Sequence, residues 1–156
     1  MIFDRIIKKL NGIRTLPREL GYIILQETNE NFRKQSFNNV PWQLRKNGET
    51  GRNLLVQAGT LRRSIRVENA NWTQINIATD LKYAKIHNEG GKITVTAKMK
   101  KYFWARYYKT KKKFWKNLAL TKKRSLNIPQ RQFLGIDTNL QQKIGAHFKK
   151  TFSFFS

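Results

Sequence analysis

The first 36 residues place apolar side chains at Phe3, Ile6, Ile7, Leu10 and Ile13, then at Leu16, Leu20, Ile23, Ile24 and Phe32, mostly at three- and four-residue steps. A helical period sustained this long commits the N-terminal stretch to an amphipathic helix, and the rest of the chain must cover its apolar stripe. Pro17 suits the first turn of a second helix opening near Thr15, so the spacing predicts a break or kink there. Glu19, Glu27 and Glu30 share the polar face with the bases, so the stripe reads as core-packing rather than as a membrane-surface helix.

At 156 residues the chain has the length of one typical domain and enough material to bury a core unaided, so a single unit over 1–156 is expected. It contains no cysteine, which removes thiol catalysis, cysteine-ligated zinc and disulfide stapling, and nothing points to an oxidising compartment. The opening residues mix charges of both signs and lack the apolar run of a signal peptide or spanning helix. The expectation is a soluble, cytosolic chain that is not exported by a cleaved signal.

Thirty-two Lys and Arg stand against nine Asp and Glu, a formal charge of +23. Such an excess implies a polyanionic neighbour or an acidic partner, since it otherwise costs self-repulsion. The acids are also unevenly placed: none lies between Gly90 and Ile136.

Residues 37–53 are rich in Asn, Gly and Pro and read as a loop anchored by Trp42. "LLVQAGTLRRSI" suggests a short helical turn around Gly59. "SIRVEN" and "WTQINIATD" alternate apolar and polar residues about a turn at "ENAN", the pattern of a half-buried hairpin. "LKYAKIHNEGG" suits a short helix ended by Gly90 and Gly91, and "KITVT" a third strand. Residues 98–124 interleave twelve bases with seven aromatics, an excursion from the core expected to be helical in part. "NIPQRQFLGID" returns to extended or turn conformation, and a final helix follows, capped by Asp137 or Thr138.

Catalysis needs tuned groups held together, and a hydrolytic metal needs three or four ligands. His87, Glu89 and Asp80 are close in sequence, but on a helix His87 and Glu89 project about 200 degrees apart. His147 lies far away in the chain. No P-loop, H-E-x-x-H, G-x-S-x-G or G-x-G-x-x-G occurs, so neither an enzyme nor a cofactor is expected. The excursion carries a sharper reading. Lys100, Lys101, Arg106, Lys109, Lys111, Lys112, Lys113, Lys116, Lys122, Lys123 and Arg124 are candidate contacts to a polyanion or a protein partner. Phe103, Trp104, Tyr107, Tyr108, Phe114 and Trp115 suit either base stacking or packing.

Four stretches, read in order, carry a resemblance. A tryptophan, Trp42, follows the first helix. A "GxLxxSI" segment is met by Gly59, Leu61, Ser64 and Ile65, and a "YAxIHxxGG" turn by Tyr83, Ala84, Ile86, His87, Gly90 and Gly91. An "IPxRxFLG" segment is met by Ile128, Pro129, Arg131, Phe133, Leu134 and Gly135. The chain resembles the phage virion morphogenesis family, the tail completion and head-tail joining proteins of Mu-like contractile-tailed phages. It departs from the pattern at Gln130 and Gln132, where Ala and Pro are more common, and in the length and charge of 98–124.

The resemblance implies a structural protein without catalytic residues or cofactor. It implies an α+β fold, a small mainly antiparallel sheet packed by a long N-terminal helix and a C-terminal helix, with a basic aromatic insertion. It implies assembly as a homo-oligomeric ring, sixfold by the symmetry of contractile tails. The expected partners are the tail tube or tail terminator and head-neck connector proteins, with contact to genome DNA and none to membrane. The expected location is the virion neck or tail end, after a stage in the host cytoplasm. Within it, Tyr83, Ala84 and Ile86 are expected to pack on the sheet and His87 to hydrogen-bond within its turn. Arg131 is a candidate for an ion pair or backbone contact, with Phe133 and Leu134 buried beside it. The competing reading is a nonspecific nucleic-acid-binding protein acting through 98–124.

Overall fold

The apolar stripe of the N-terminal stretch is covered from two sides, by a C-terminal helix and by a β-hairpin. The structure, a computed structural model, describes residues 2–45, 53–56 and 58–153, with side chains from residue 10 onward. Of the loop expected over 37–53, residues 46–52 lie outside the described residues, and its first residues join a short hairpin instead. Helix α1 spans Ile2–Lys34, roughly 50 Å at 1.5 Å per residue.

Of the break or kink expected at Pro17, the break does not occur, and the helix runs through the proline. The local penalty of a proline inside a helix is about 3 kcal/mol. Leu16 and Pro17 are both buried, so tertiary packing holds the turn that propensity alone would open.

A minimal hairpin follows, β1 (Ser36–Phe37) with β2 (Val40–Pro41), its turn made by Asn38 and Asn39 at positive φ. Helix α2 (Thr60–Ser64) leads into β3 (Arg66–Ala70), which pairs antiparallel with β4 (Ile75–Ala78) across a bulge between Val67 and Asn69. Asn71 shapes the turn between them: its Oδ1 accepts from the amides of Thr73 and Gln74, each at 2.9 Å. This hairpin lies on α1 at Gly21, where an added Cβ would sit 3.1 Å from both Val67 methyls. A larger residue there would push helix and hairpin apart.

Helix α3 (Ala84–Glu89) precedes β5 (Gly91–Thr94). The chain then makes helices α4 (Ala97–Thr110) and α5 (Lys113–Ala119) before returning as β6 (Ser125–Ile128). Strands β5 and β6 pair antiparallel from Gly91↔Ile128 to Thr94↔Ser125. The basic insertion is therefore the connection of a β-hairpin, with a helical hairpin in place of a turn. The fold is α+β as expected, with its antiparallel strands distributed over three two-stranded pairs. "KITVT" joins the strand after the insertion instead of extending β3–β4.

Helix α6 (Thr138–Phe152) is capped by Asp137, whose Oδ1 accepts from the Leu140 amide at 2.7 Å. It packs along α1, burying Leu16 and Leu140. Across the same seam Glu27, 2% exposed, pairs with Lys143, and His147 Nε2 meets Glu19 at 2.8 Å. The principal core gathers Phe32, Trp42, Leu54, Leu61, Ala84 and Phe133 near the C-terminal end of α1.

Candidate functional site

Segments far apart in the chain meet around the turn that contains His87. The stacked rings of Phe32 and Phe133, 5.0 Å apart, form its floor, with Trp42 edge-on to Phe32 at 5.7 Å. Trp42 Nε1 donates to the Gln132 carbonyl at 2.7 Å, and Arg131 Nε donates to the Gln43 carbonyl at 3.0 Å. The Arg131 amide donates to the His87 carbonyl at 2.8 Å. Asn88 Oδ1 accepts from the amides of Phe133 and Leu134, both at 3.0 Å. Asn31 Nδ2, from α1, donates to the Phe133 carbonyl at 3.2 Å. The segment 130–135 is thus tied to α1, to the loop after β2 and to α3 at once, and almost every buried polar group in it is satisfied from elsewhere in the chain.

Glycine permits the geometry where the segments touch. Gly90 has φ +73, and a Cβ there would lie 2.8 Å from the Gln130 amide nitrogen, so both backbone conformation and space demand glycine. Gly91 also takes positive φ, at +139, and Gly59 does at +67 before α2. A Cβ on Gly135 would sit 2.9 Å from the Phe37 ring. Pro129 carries the chain out of β6, half-buried.

Of the residues expected to pack, Ala84 and Phe133 are buried in the core, and Ile86 and Leu134 are half-buried; the motif residue Leu61 joins the core as well. Tyr83 differs: it is 43% exposed, its ring edge-on to His87 at 6.0 Å. It stands just before the first turn of α3. His87 hydrogen-bonds within its turn through the backbone, its amide donating to the Tyr83 carbonyl at 3.3 Å, while its buried Nδ1 meets no partner among the described residues. Burial and the nearby Arg131 guanidinium push the His87 pKa below its usual value, which favours a neutral ring. Arg131 takes the backbone contact expected of it rather than an ion pair. Burial and neighbouring Arg45 lower its pKa from the usual guanidinium value.

His87 and Arg131 also line a cavity of about 420 Å³ with Leu54, Leu61 and Tyr83. None of the described residues lining it is a carboxylate. Glu89 is exposed, Asp80 pairs with Arg66 at 2.8 and 3.0 Å, and His147 is engaged by Glu19 on the other side of the molecule. Among the described residues no three His, Asp or Glu side chains converge in a metal-binding group.

The basic residues lie apart from this cluster. Within the insertion Phe103 stacks on Trp115 at 6.1 Å, Tyr102 meets the same ring edge-on at 6.1 Å, and the Arg106 guanidinium sits over it at 5.3 Å. The aromatics thus build a small core of their own, leaving Tyr102 and Tyr108 exposed. Lys101, Lys109, Lys111, Lys112, Lys113, Lys116, Lys122, Lys123 and Arg124 are exposed, whereas Lys100 and Arg106 are partly covered. Sequence reasoning missed Asn31, Gln35 and Asn88; Gln35 Oε1 accepts from the Leu54 amide. The one available signal was the position of Asn88 two residues before a glycine pair.

What the fold and this cluster define is a strongly cationic α+β protein whose motif residues tie its own segments together. The sequence model of the phage virion morphogenesis family matches residues 1–153, and the chain belongs to that family. Membership assigns it a role in phage virion assembly and association with the virion, and suggests a structural rather than an enzymatic part. Neither the curated proteins nor the solved structures compared with it gave a match. No described helix is long and apolar enough to cross a membrane.

Proposed function

We propose that this protein completes the tail end and joins tail to head as a neck component, working as a closed ring of identical copies. Family membership over almost the whole chain carries the reading. A small subunit reaches a ring through a heterologous contact that closes, and the symmetry of contractile tails makes six copies the expected number. Its neighbours would be the tail tube or tail terminator on one side and head-neck connector proteins on the other. Such a part requires no turnover and no cofactor. The exposed side chains of Leu44, Trp72 and Ile136 support an interface role, as surface that a neighbouring chain would cover.

Quantitative mass spectrometry of purified particles tests this directly. The expected result is a copy number, relative to a known tail protein, equal to one ring per tail. Absence from mature particles would remove the structural-component reading. The uncompensated charge of α4 and α5 favours a second reading, nonspecific nucleic-acid binding, which is compatible with a neck through which genome DNA passes.

A further inference from the structure

We propose that the α4–α5 hairpin is an arm that binds double-stranded DNA through its phosphates without reading sequence. From the β5–β6 root, α4 carries the chain outward by roughly 20 Å at 1.5 Å per residue. The lysines at 111–113 stand at the turn, and α5 leads back.

Charge is the first argument. None of the acidic residues lies between Gly90 and Ile136, and among the described residues no carboxylate pairs with Lys101, Lys109 or Lys113. Lys111 lies over the Tyr108 ring at 5.7 Å and Lys116 over Tyr107 at 5.9 Å. Those contacts orient the ammonium groups without neutralising them.

Layout is the second. Lys98, Lys101, Tyr102, Ala105, Tyr108 and Lys109 are all exposed and recur at the three- and four-residue steps of one helix face. Ala105 keeps the middle of that face low, so a duplex backbone can lie against it. The face then runs on to the lysines of the turn.

Side-chain type selects the partner. The helix arginine, Arg106, is turned onto Trp115 inside the hairpin, so the outward charge of the two helices is all lysine. Protein interfaces are depleted in lysine and enriched in arginine and aromatics. An ammonium group, a compact charge with rotatable donors, suits phosphates met in no fixed geometry. Of the seven aromatics only Tyr102 and Tyr108 are exposed, and both rings also contact neighbours within the hairpin, which leaves little platform for stacking the successive bases of a single strand. These features favour duplex DNA over an acidic protein surface and over unpaired strands.

The inference is independent of the ring and of the neck position, which particle stoichiometry tests separately. The experiment is fluorescence anisotropy of the full chain with a short duplex of arbitrary sequence across a salt series. The logarithm of the affinity should fall linearly with the logarithm of salt. The combined variant Lys101→Gln, Lys109→Gln, Lys113→Gln should make that slope shallower by about 2.7, at roughly 0.9 per lysine. Arginine at the same three positions should retain the native slope. Lys34→Gln, Lys149→Gln, Lys150→Gln removes the same charge from exposed positions on α1 and α6 and should leave the slope near the native value. Because every substituted residue is exposed, the circular dichroism spectra should match the native one. Equal effects of the two glutamine variants would mean diffuse charge and overturn the proposal, as would a native slope in the arm variant. Tighter binding to poly-glutamate or to a single strand than to the duplex would overturn the choice of partner.

Discussion

Asn88 holds the amides of Phe133 and Leu134 with one side-chain oxygen, so its removal strands two backbone donors together. Asn88→Ala should lower unfolding free energy by about 2 to 4 kcal/mol, since an unsatisfied buried donor costs about 1 to 3 kcal/mol and Leu134 is half-buried. Denaturant unfolding would measure it, and a loss near that of an exposed polar residue would show that solvent replaces the contact. His87 supplies a pH signature. Burial first, and Arg131 second, depress its pKa, so the folded chain binds this proton less readily than the unfolded chain. Its contribution is therefore complete above about pH 6.5 and is lost as pH falls through the lower folded value. Stability should decline as pH falls below about 6.5, and His87→Leu should flatten that part of the profile. The Glu19 carboxyl, lowered chiefly by the Thr15 hydroxyl against the opposing effect of burial, contributes stability that is complete above the ordinary carboxylate value and is lost as pH falls through its lowered one. Trp42, Phe133 and the glycine pair were legible in the sequence, because size and backbone freedom are properties of the residue itself. Asn88 and Asn31 were not, because the value of a polar side chain depends on the distant amide or carbonyl it meets. For Asn31 that carbonyl is 102 residues away.

Helices and strands followed their local periods closely, and the departures share a cause. The turn of α1 at Pro17 persists because burial outweighs a local penalty, and β6 found a partner across an insertion that no short-range pattern spans. Within the insertion, among the described residues, α4 and α5 pack chiefly on each other. Its root is complete without it, as the β5–β6 ladder is extended by the Val95 amide donating to the Arg124 carbonyl at 2.9 Å. Replacing residues 97–123 with a short Asn-Gly turn should therefore leave the Phe32, Trp42 and Phe133 core intact. Near-ultraviolet circular dichroism and the denaturant midpoint should change little, apart from the signal of the lost aromatics. Collapse of the core would show that the arm supports the body through contacts weaker than its own packing.

Across the whole molecule, the charge of +23 sets a repulsion that the ion pairs among the described residues do not offset. Raising sodium chloride shortens the screening length from about 10 Å at 0.1 M to about 3 Å at 1 M. The thermal midpoint should rise over that range, whereas a fall would mean that the surviving pairs outweigh the repulsion. The class of fold and the family pattern were legible at this scale, because both rest on the order of segments along the chain. The meeting of four segments at one end of α1 was not, because it is long-range packing. The β5–β6 ladder has a consequence for how such a chain can change. Two paired strands lie about 4.8 Å apart, so their open ends form a socket that asks of any guest only that its termini sit close together. Arms of other lengths and chemistries can be seated there while the host keeps its register. The same socket is a natural place to graft a reporter domain onto an assembling particle.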